Sequence, residues 1–391
     1  MKLFGPEHER VLSSLYGDGA SEFDVLLRSF SAVLEAKVLP LSLGLDQGKG
    51  DIGQTRRTLF EQGLCKLSHP ERYGGMGLPF GVYALAMELA GAADASTAMS
   101  IGIHNTVADA VAQFGSEEQR RKLLPSLLSG EKLAAFALTE PSSGSDARSM
   151  RTRAAKDGKH FVLDGSKMFI TNAGEADVYL VFASTGAGHS AFLVEGSNPG
   201  LKVGAQLREK LGMRGSHTAE VKLEKCRVAA EDSLLGDEGA GFECAKKLLD
   251  SSRIVMGMMC VGIARTAYVK ALAYSRSREL FGKKLSDFQL TREKLADSVI
   301  ETNASRLLCM HAARLKELGL SFTSEAAQGK VLATETSART CDAAIQLLGG
   351  YGYTTDDVHR HWRDARLLAI GEGASEVLRL LIASRELEPK T

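Results

Sequence analysis

His160–Asn172 reads HFVLDGSKMFITN. Its β-branched and aromatic residues recur over a short span broken by Asp164 and Gly165, which predicts a strand. DVYLVFAST (177–185), SAFLVEG (190–196) and TAEVKLEKCRV (218–228) repeat the composition, separated by Gly, Asn and Asp. The flanking sequence has a different period. Upstream, FDVLLRSFSAVLEAKVL (23–39) and GVYALAMELAGAADASTAMS (81–100) place apolar residues at helical spacing. SEEQRRKLLPSLLSG (116–130) opens with Ser116 three residues before Gln119, a capping-box spacing, and Pro125 is expected to end or kink that helix. Downstream, helical spacing returns over Phe242–Arg278, Phe288–Leu318, Ser324–Leu348 and Ser375–Arg385, as expected of an antiparallel bundle. The expected fold is α+β and multidomain: an N-terminal all-α domain over 1–134, a small β-barrel or sandwich domain over 135–240, and a C-terminal four-helix bundle over 241–391.

Composition narrows the function. A chain of 391 residues is long enough for two or three packed units. Lys plus Arg and Asp plus Glu number 48 each, so no global field favours nucleic acid or an anionic membrane. Cys65, Cys226, Cys244, Cys260, Cys309 and Cys341 are scattered, which argues against zinc and disulfides and for a reducing compartment. MKLFGPEHER lacks a basic-then-apolar signal and no uncharged apolar run approaches membrane-span length, so a soluble intracellular protein is expected.

Several motifs fail on context. TGAGHSA (185–191) matches a dinucleotide fingerprint, but a strand-like segment follows where a helix is needed, so it reads as a hairpin turn. There is no P-loop, no H-E-x-x-H and no G-x-S-x-G. His359 and His361 have no further ligand at metal spacing and read as surface or structural residues, so no metal is expected.

Two glycine-rich stretches remain. AFALTEPSSGSD (135–146) sets Thr139, Ser142, Ser143 and Ser145 around Gly144, a group of small donors suited to an anion such as a pyrophosphate. Taken alone it also reads as a polar interdomain loop. Near the C-terminus, GEGAS (371–375) holds Glu372 between two glycines ahead of a helix.

The first loop is preceded by PERYGGMG and FGSEEQRRKLLPSLLSGE. It is followed in order by LDGSKMFITNAGEAD, KLGMRGSHTAEV, LLGDEGAGFECAKKLLDSSR, SRSRELFGKKLSDFQ, QLLGGYGYTTD and GEGAS. This series, from about Phe23 to Leu387, resembles the acyl-CoA dehydrogenase family. The resemblance implies the same α–β–α fold, FAD, an acyl-CoA substrate, a homotetramer (a dimer of dimers) whose neighbouring subunits share the cofactor, and electron-transfer flavoprotein as acceptor. It implies α,β-dehydrogenation to the trans-2-enoyl thioester, with Glu372 taking the α proton and hydride passing to flavin N5. It points to catabolism of fatty or amino acids in a bacterial cytoplasm or, failing that, a mitochondrial matrix.

Residue by residue, the resemblance places Phe136, Leu138 and Thr139 along the flavin ring, with Gly144 and Ser145 at its phosphate or at the CoA pantetheine. Phe169 stacks behind the ring and Ile170 and Thr171 continue the same motif, Thr171 near N5. Arg278, Phe281, Gln289, Gln346, Gly349 and Gly350 meet the adenosine half from a second subunit. Ala374, Ser375 and Glu376 follow the base at the cofactor. Asp250, Arg253, Ser145 and Gly373 serve the substrate. Two family branches carry the base in the helix that here reads LDSSR, where the matching residue is Ser252, so Glu372 is the one credible base. Ser142, Ser143 and Ala374 depart from the common pattern. Gly371 stands where medium-chain members have Tyr, which points to room for short, branched or cyclic acyl groups. Relatives on this scaffold include oxidases, monooxygenases and nucleic-acid-binding flavoproteins. Retention of Glu372 argues against the monooxygenase and non-catalytic readings. Zero net charge argues against nucleic acid. Dehydrogenase versus oxidase, and CoA versus a carrier-protein thioester, stay open at this point.

Overall fold

The computed structural model describes residues 2–387. Helices fill its first third: α1 (Pro6–Tyr16), α2 (Ala20–Lys37), α3 (Ser42–Asp46), α4 (Ile52–Glu61), α5 (Phe80–Ala93), α6 (Ala95–Phe114) and α7 (Glu117–Ser129). Their starts follow the caps in the sequence. Asp51 accepts from Gly53 N–H at 2.8 Å and Asp94 from Thr97 N–H at 2.7 Å. Ser116 and Gln119 form the reciprocal capping box, with bonds of 2.9 and 3.1 Å. Of the two outcomes expected at Pro125, the first does not occur: α7 runs on for another turn to Ser129.

The strands follow: β1 (Ala134–Ala137), β2 (Arg153–Asp157), β3 (His160–Thr171), β4 (Val178–Thr185), β5 (Gly188–Glu195), β6 (Leu201–Val203), β7 (Thr218–Ala229) and, after the short α8 (Ala230–Ser233), β8 (Leu234–Leu235). They make one sheet in the order β6-β7-β3-β2-β4-β5-β8, with β1 parallel to β4. One face encloses its own core, including Phe161, Leu163, Val181, Phe192 and Val221, while Leu180, Phe182 and Leu193 pack against α6, α7 and the next long helix. The TGAGHSA stretch is the β4–β5 hairpin, with Thr185 paired to Gly188.

The remaining chain is helical apart from the small hairpin β9 (Glu279–Leu280) and β10 (Lys283–Lys284). It comprises α9 (Gly241–Ser277), α10 (Gln289–Glu317), α11 (Thr323–Leu348), α12 (Gly350–Thr354), α13 (Val358–Leu368) and α14 (Ser375–Leu387). The α12 and α13 helices are additions to the sequence reading. N-terminal and C-terminal helices build one core together, with Leu27, Leu85 and Met87 in the same cluster as Met256, Met259 and Met310. Glycine makes that closeness possible: a Cβ at Gly262 of α9 would stand 2.1 Å from Glu88 O of α5. Inside this core the Arg306 guanidinium donates to both Glu88 oxygens, at 2.7 and 2.9 Å. The middle of α9 is long and apolar enough to cross a membrane, but 83% of that window is buried inside the protein, as expected of a core helix.

Candidate active site

Glu372 sits in the turn between α13 and α14. The turn is tied down by Gly371 N–H on Leu367 O at 3.0 Å and by Ser375 N–H on Ala369 O at 3.1 Å. Glu372 has φ 56° and Gly373 φ 100°. A non-glycine residue in the left-handed region is uncommon and is held there by its surroundings. Two helices supply them. Arg253 of α9 is paired with Asp250 at 2.6 Å, and Thr323 of α11 donates to the other Asp250 oxygen at 2.6 Å. An arginine nitrogen of Arg253 lies 3.8 Å from where a Cβ at Gly373 would stand, so the LDSSR turn braces the Glu372 loop. Lys330 Nζ of α11 donates to Gly373 O at 2.6 Å. Burial raises the proton affinity of Glu372 above that of an ordinary carboxylate, against the opposing pull of the Ser252 hydroxyl and the charges of Arg253 and Lys330. Glu372, Asp250, Arg253, Ser252 and Gly373 are thus brought together. Ala374 is half-buried beside them, Ser375 is buried at the start of α14, and Glu376 points to solvent.

A second group lies on the β domain. Met168 N–H donates to Thr139 O at 2.8 Å, joining the loop after β1 to β3. The β3–β7 ladder shifts register between Lys167 and Ile170, and in that bulge Phe169 takes φ 61° with its ring 62% exposed. Phe136, Leu138, Thr139 and Thr171 are half-buried on the same junction, and Ile170 is buried beneath them. Gly144 and Ser145 are exposed.

The junction rests on residues that sequence reading passed over. Lys167, fully buried, donates to Glu140 at 2.8 Å and to Leu138 O at 3.0 Å. Glu140 also accepts from the N–H groups of Arg151 and Thr152, at 2.6 and 3.0 Å. Asn172, at φ 67°, donates to Ser100 O and Ala134 O, tying β3 to α6 and β1. The available signal was a lysine inside a strand that alternates inward and outward.

The third group lies at the far ends of α9 and α11. Arg278, Gln346, Gly349 and Gly350, with Tyr274 and Lys294, line a groove of about 640 Å³. A Cβ at Gly349 or Gly350 would meet no atom within 4 Å, so bare backbone faces the groove. Exposed Phe281 and Gln289 flank it. Two cations beside bare peptide groups are the donor set a pyrophosphate needs. Together with an exposed aromatic ring held out by a strand bulge, that set fits a flavin dinucleotide. The described residues contain no cluster of metal-ligating side chains, and His361 is buried against Arg360 and Asp357.

Comparison with known proteins decides the family. The N-terminal, middle and C-terminal domains of acyl-CoA dehydrogenase match residues 21–131, 135–226 and 239–387. The chain belongs to the acyl-CoA dehydrogenase family. It is similar to the human mitochondrial short-chain specific acyl-CoA dehydrogenase, 39% identical over 93% of this chain and 89% of that one. Its fold is similar to butyryl-CoA dehydrogenase from Megasphaera elsdenii, with TM-score 0.89, 35% identity and coverage of 98% and 99% of the two chains. It is also similar to an acyl-CoA dehydrogenase complexed with FAD from Bacillus anthracis, with TM-score 0.89 and 32% identity over 96% of this chain and 69% of that one. The protein is an FAD-dependent oxidoreductase of acyl-CoA thioesters that forms the α,β double bond. Its relatives occur in bacteria and in mammalian mitochondria.

Proposed function

We propose that Glu372 is the base that takes the α proton. The observation that carries this reading is a carboxylate held at φ 56° on a braced turn, with its proton affinity raised by burial. A base with pKa lifted toward neutrality is matched to a weakly acidic C–H. Its carboxylate forms the new O–H bond while the C–H electron pair shifts toward the carbonyl, whose oxygen takes up the charge, and becomes the Cα–Cβ double bond as the β hydride leaves. FAD, when bound, accepts the β hydride. Phe136, Leu138, Thr139, Phe169, Ile170 and Thr171 hold its ring, and Gly144 and Ser145 its phosphate side. Arg278, Phe281, Gln289, Gln346, Gly349 and Gly350 hold the adenosine half of a neighbouring subunit's cofactor, with Ala374, Ser375 and Glu376 at the edge of the base. Asp250, Arg253, Ser145 and Gly373 position the thioester.

The substrate is a short acyl-CoA with room for branching or a small ring. The α9 face that brings Ser252 to Glu372 continues one turn on with fully buried Met256. Its Cε lies 3.0 Å from a Cβ position at Gly102, with Met87 Cε 3.5 Å from the same point, and this close packing supports a short acyl space. Beside the base, a Cβ at Gly371 would have the Leu367 carbonyl oxygen as its nearest neighbour, at 3.9 Å, which widens it. A homotetramer is supported by apolar side chains facing solvent, Phe281 at 94%, Leu290 at 71%, Ile300 at 62% and Tyr353 at 80% exposure. Electron-transfer flavoprotein is the expected acceptor, and the domain boundaries fall at 134/135 and 240/241.

Anaerobic titration of the holoenzyme with butyryl-, octanoyl-, palmitoyl-, isobutyryl-, isovaleryl- and cyclohexanecarbonyl-CoA tests this. Bleaching of the flavin band is expected with the short and branched thioesters. Glu372→Gln should slow it by about 10²–10⁴-fold. A Glu372→Gln protein that bleaches at the native rate would refute the assignment.

A further inference from the structure

Lys330 is fully buried in α11. Its amine reaches the Glu372 turn, with Nζ 2.6 Å from the Gly373 carbonyl oxygen. A neutral donor such as a glutamine amide would hold that carbonyl equally well. A buried ammonium is costly unless a compensating negative group is near, so its presence calls for a use of the charge itself.

The groups that face it are few. From α9 come Cys260 and Arg253, from α11 itself Glu335, and from the turn Glu372. Glu335 is committed to Arg379 of α14 by two bonds at 2.6 and 2.8 Å, and Arg253 to Asp250. The Cys260 thiol is buried and held protonated, its pKa pushed well above the ordinary thiol range. That leaves the Glu372 carboxylate as the anion that Lys330 serves. Glu372 in turn is faced by Ser252 and Arg253 from α9 and by Lys330 from α11.

We infer that Lys330 is a positioning residue for the reaction: it anchors the Glu372 turn through Gly373 O and adds, alongside Arg253, positive charge that favours the ionised form of the base. The inference rests on Glu372 being the base. The burial that lifts the proton affinity of Glu372 works against the ionised form a base needs. Lys330 limits that rise and stays outside the substrate space because its amine is directed at the backbone. Burial draws the pKa of Lys330 itself down to about 8, so its ammonium is largely retained at neutral pH.

The test uses holoenzyme carrying Lys330→Gln, Lys330→Met or Lys330→Arg, with Glu372→Gln in parallel. The pH dependence of butyryl-CoA bleaching is recorded, together with the carboxyl stretching band of Glu372 by infrared difference against Glu372→Gln. Lys330→Gln keeps a donor for Gly373 O but not the charge. It should move the acid limb and the infrared titration upward by about one pH unit or more, the size of an opposite charge removed at close range. Lys330→Arg should return both toward the native midpoint. Lys330→Met should match Lys330→Gln in midpoint and lose further rate at every pH, because the turn is also released. A folded, flavin-replete Lys330→Gln with native midpoints overturns the inference even if its rate is reduced, since a merely structural tie would lower the rate without moving the titration. Native bleaching by Glu372→Gln would instead overturn the base assignment on which it rests.

Discussion

Lys167→Met should be among the most damaging single substitutions in the β domain. Lys167 and Glu140 are 0% and 4% exposed, and their charges meet at 2.8 Å. Lys167 also donates to Leu138 O, and Glu140 accepts two further N–H groups, so one ion pair fixes both ends of the 138–152 segment. Methionine matches the length of lysine, so little cavity is made, and the loss is that of one partner of a buried pair. Removing one partner leaves an uncompensated charge and costs about 3–5 kcal/mol. At about 2 °C per kcal/mol for a chain of this size, the thermal midpoint should fall by about 6–10 °C. Glu140→Gln in the same chain removes the stranded charge and keeps an acceptor for one of the two N–H groups, which Glu140 receives on separate oxygens. The double variant should therefore recover part of the loss. FAD affinity should fall in Lys167→Met, because Leu138 and Thr139 are held by the same bonds. Differential scanning of holo and flavin-stripped protein, with flavin release measured by fluorescence, reads both effects. A Lys167→Met midpoint within about 2 °C of native would refute the reasoning, since that corresponds to about 1 kcal/mol.

Other outcomes test the remaining parts of the site. Gly371→Tyr fills the open side of the turn, so the isovaleryl-CoA to butyryl-CoA rate ratio should drop by about tenfold or more; an unchanged ratio would place the branch elsewhere. Met256→Ala should raise octanoyl-CoA turnover relative to butyryl-CoA by about tenfold, while costing about 2–5 kcal/mol of stability. His104 is fully buried, its Nδ1 accepting from Ala134 N–H at 3.0 Å and Nε2–H donating to Leu127 O at 3.0 Å, which requires the neutral ring. Burial lowers its pKa from 6.5 to about 4, so between these values the unfolded chain binds the extra proton. Its contribution to stability is full above pH 6.5 and declines by about 1.4 kcal/mol per unit as pH falls toward 4. His104→Gln should flatten that part of the stability profile, read by urea unfolding across the range.

What the sequence showed depended on how local the cause was. The strand zone was legible because alternation and turn residues act over a few positions, and the capping box of α7 because both partners lie within one turn. Pro125 does not end the helix because the breaker rule weighs one lost backbone bond, whereas Leu124, Leu127 and Leu128 are fully buried on both sides of it and hold the helix together across it. The α12 and α13 helices were missed because GYGYTTDD and VHRHWRD carry glycines and charges. In the fold those charges are inside: Arg360, at 1% exposure, faces Asp94, Asp357 and Asp364.

The same reasoning explains the active site. Two glycines around an acid at a helix start were visible, and in isolation they describe an ordinary turn. What distinguishes Glu372 is its setting: a left-handed backbone, Arg253 from a helix more than a hundred residues upstream, and Lys330 from another. Neither lysine that matters, Lys167 or Lys330, can be picked out by pattern, because pattern reading counts lysine as a solvent-facing residue. Each meets a distant partner: Lys167 the Glu140 carboxylate, and Lys330 the Gly373 carbonyl of the Glu372 turn. A lysine at an inward position of a strand or core helix is therefore a signal of an anion across the fold. In this chain both such anions lie in loops proposed to carry the chemistry, one in the segment after β1 and one between α13 and α14.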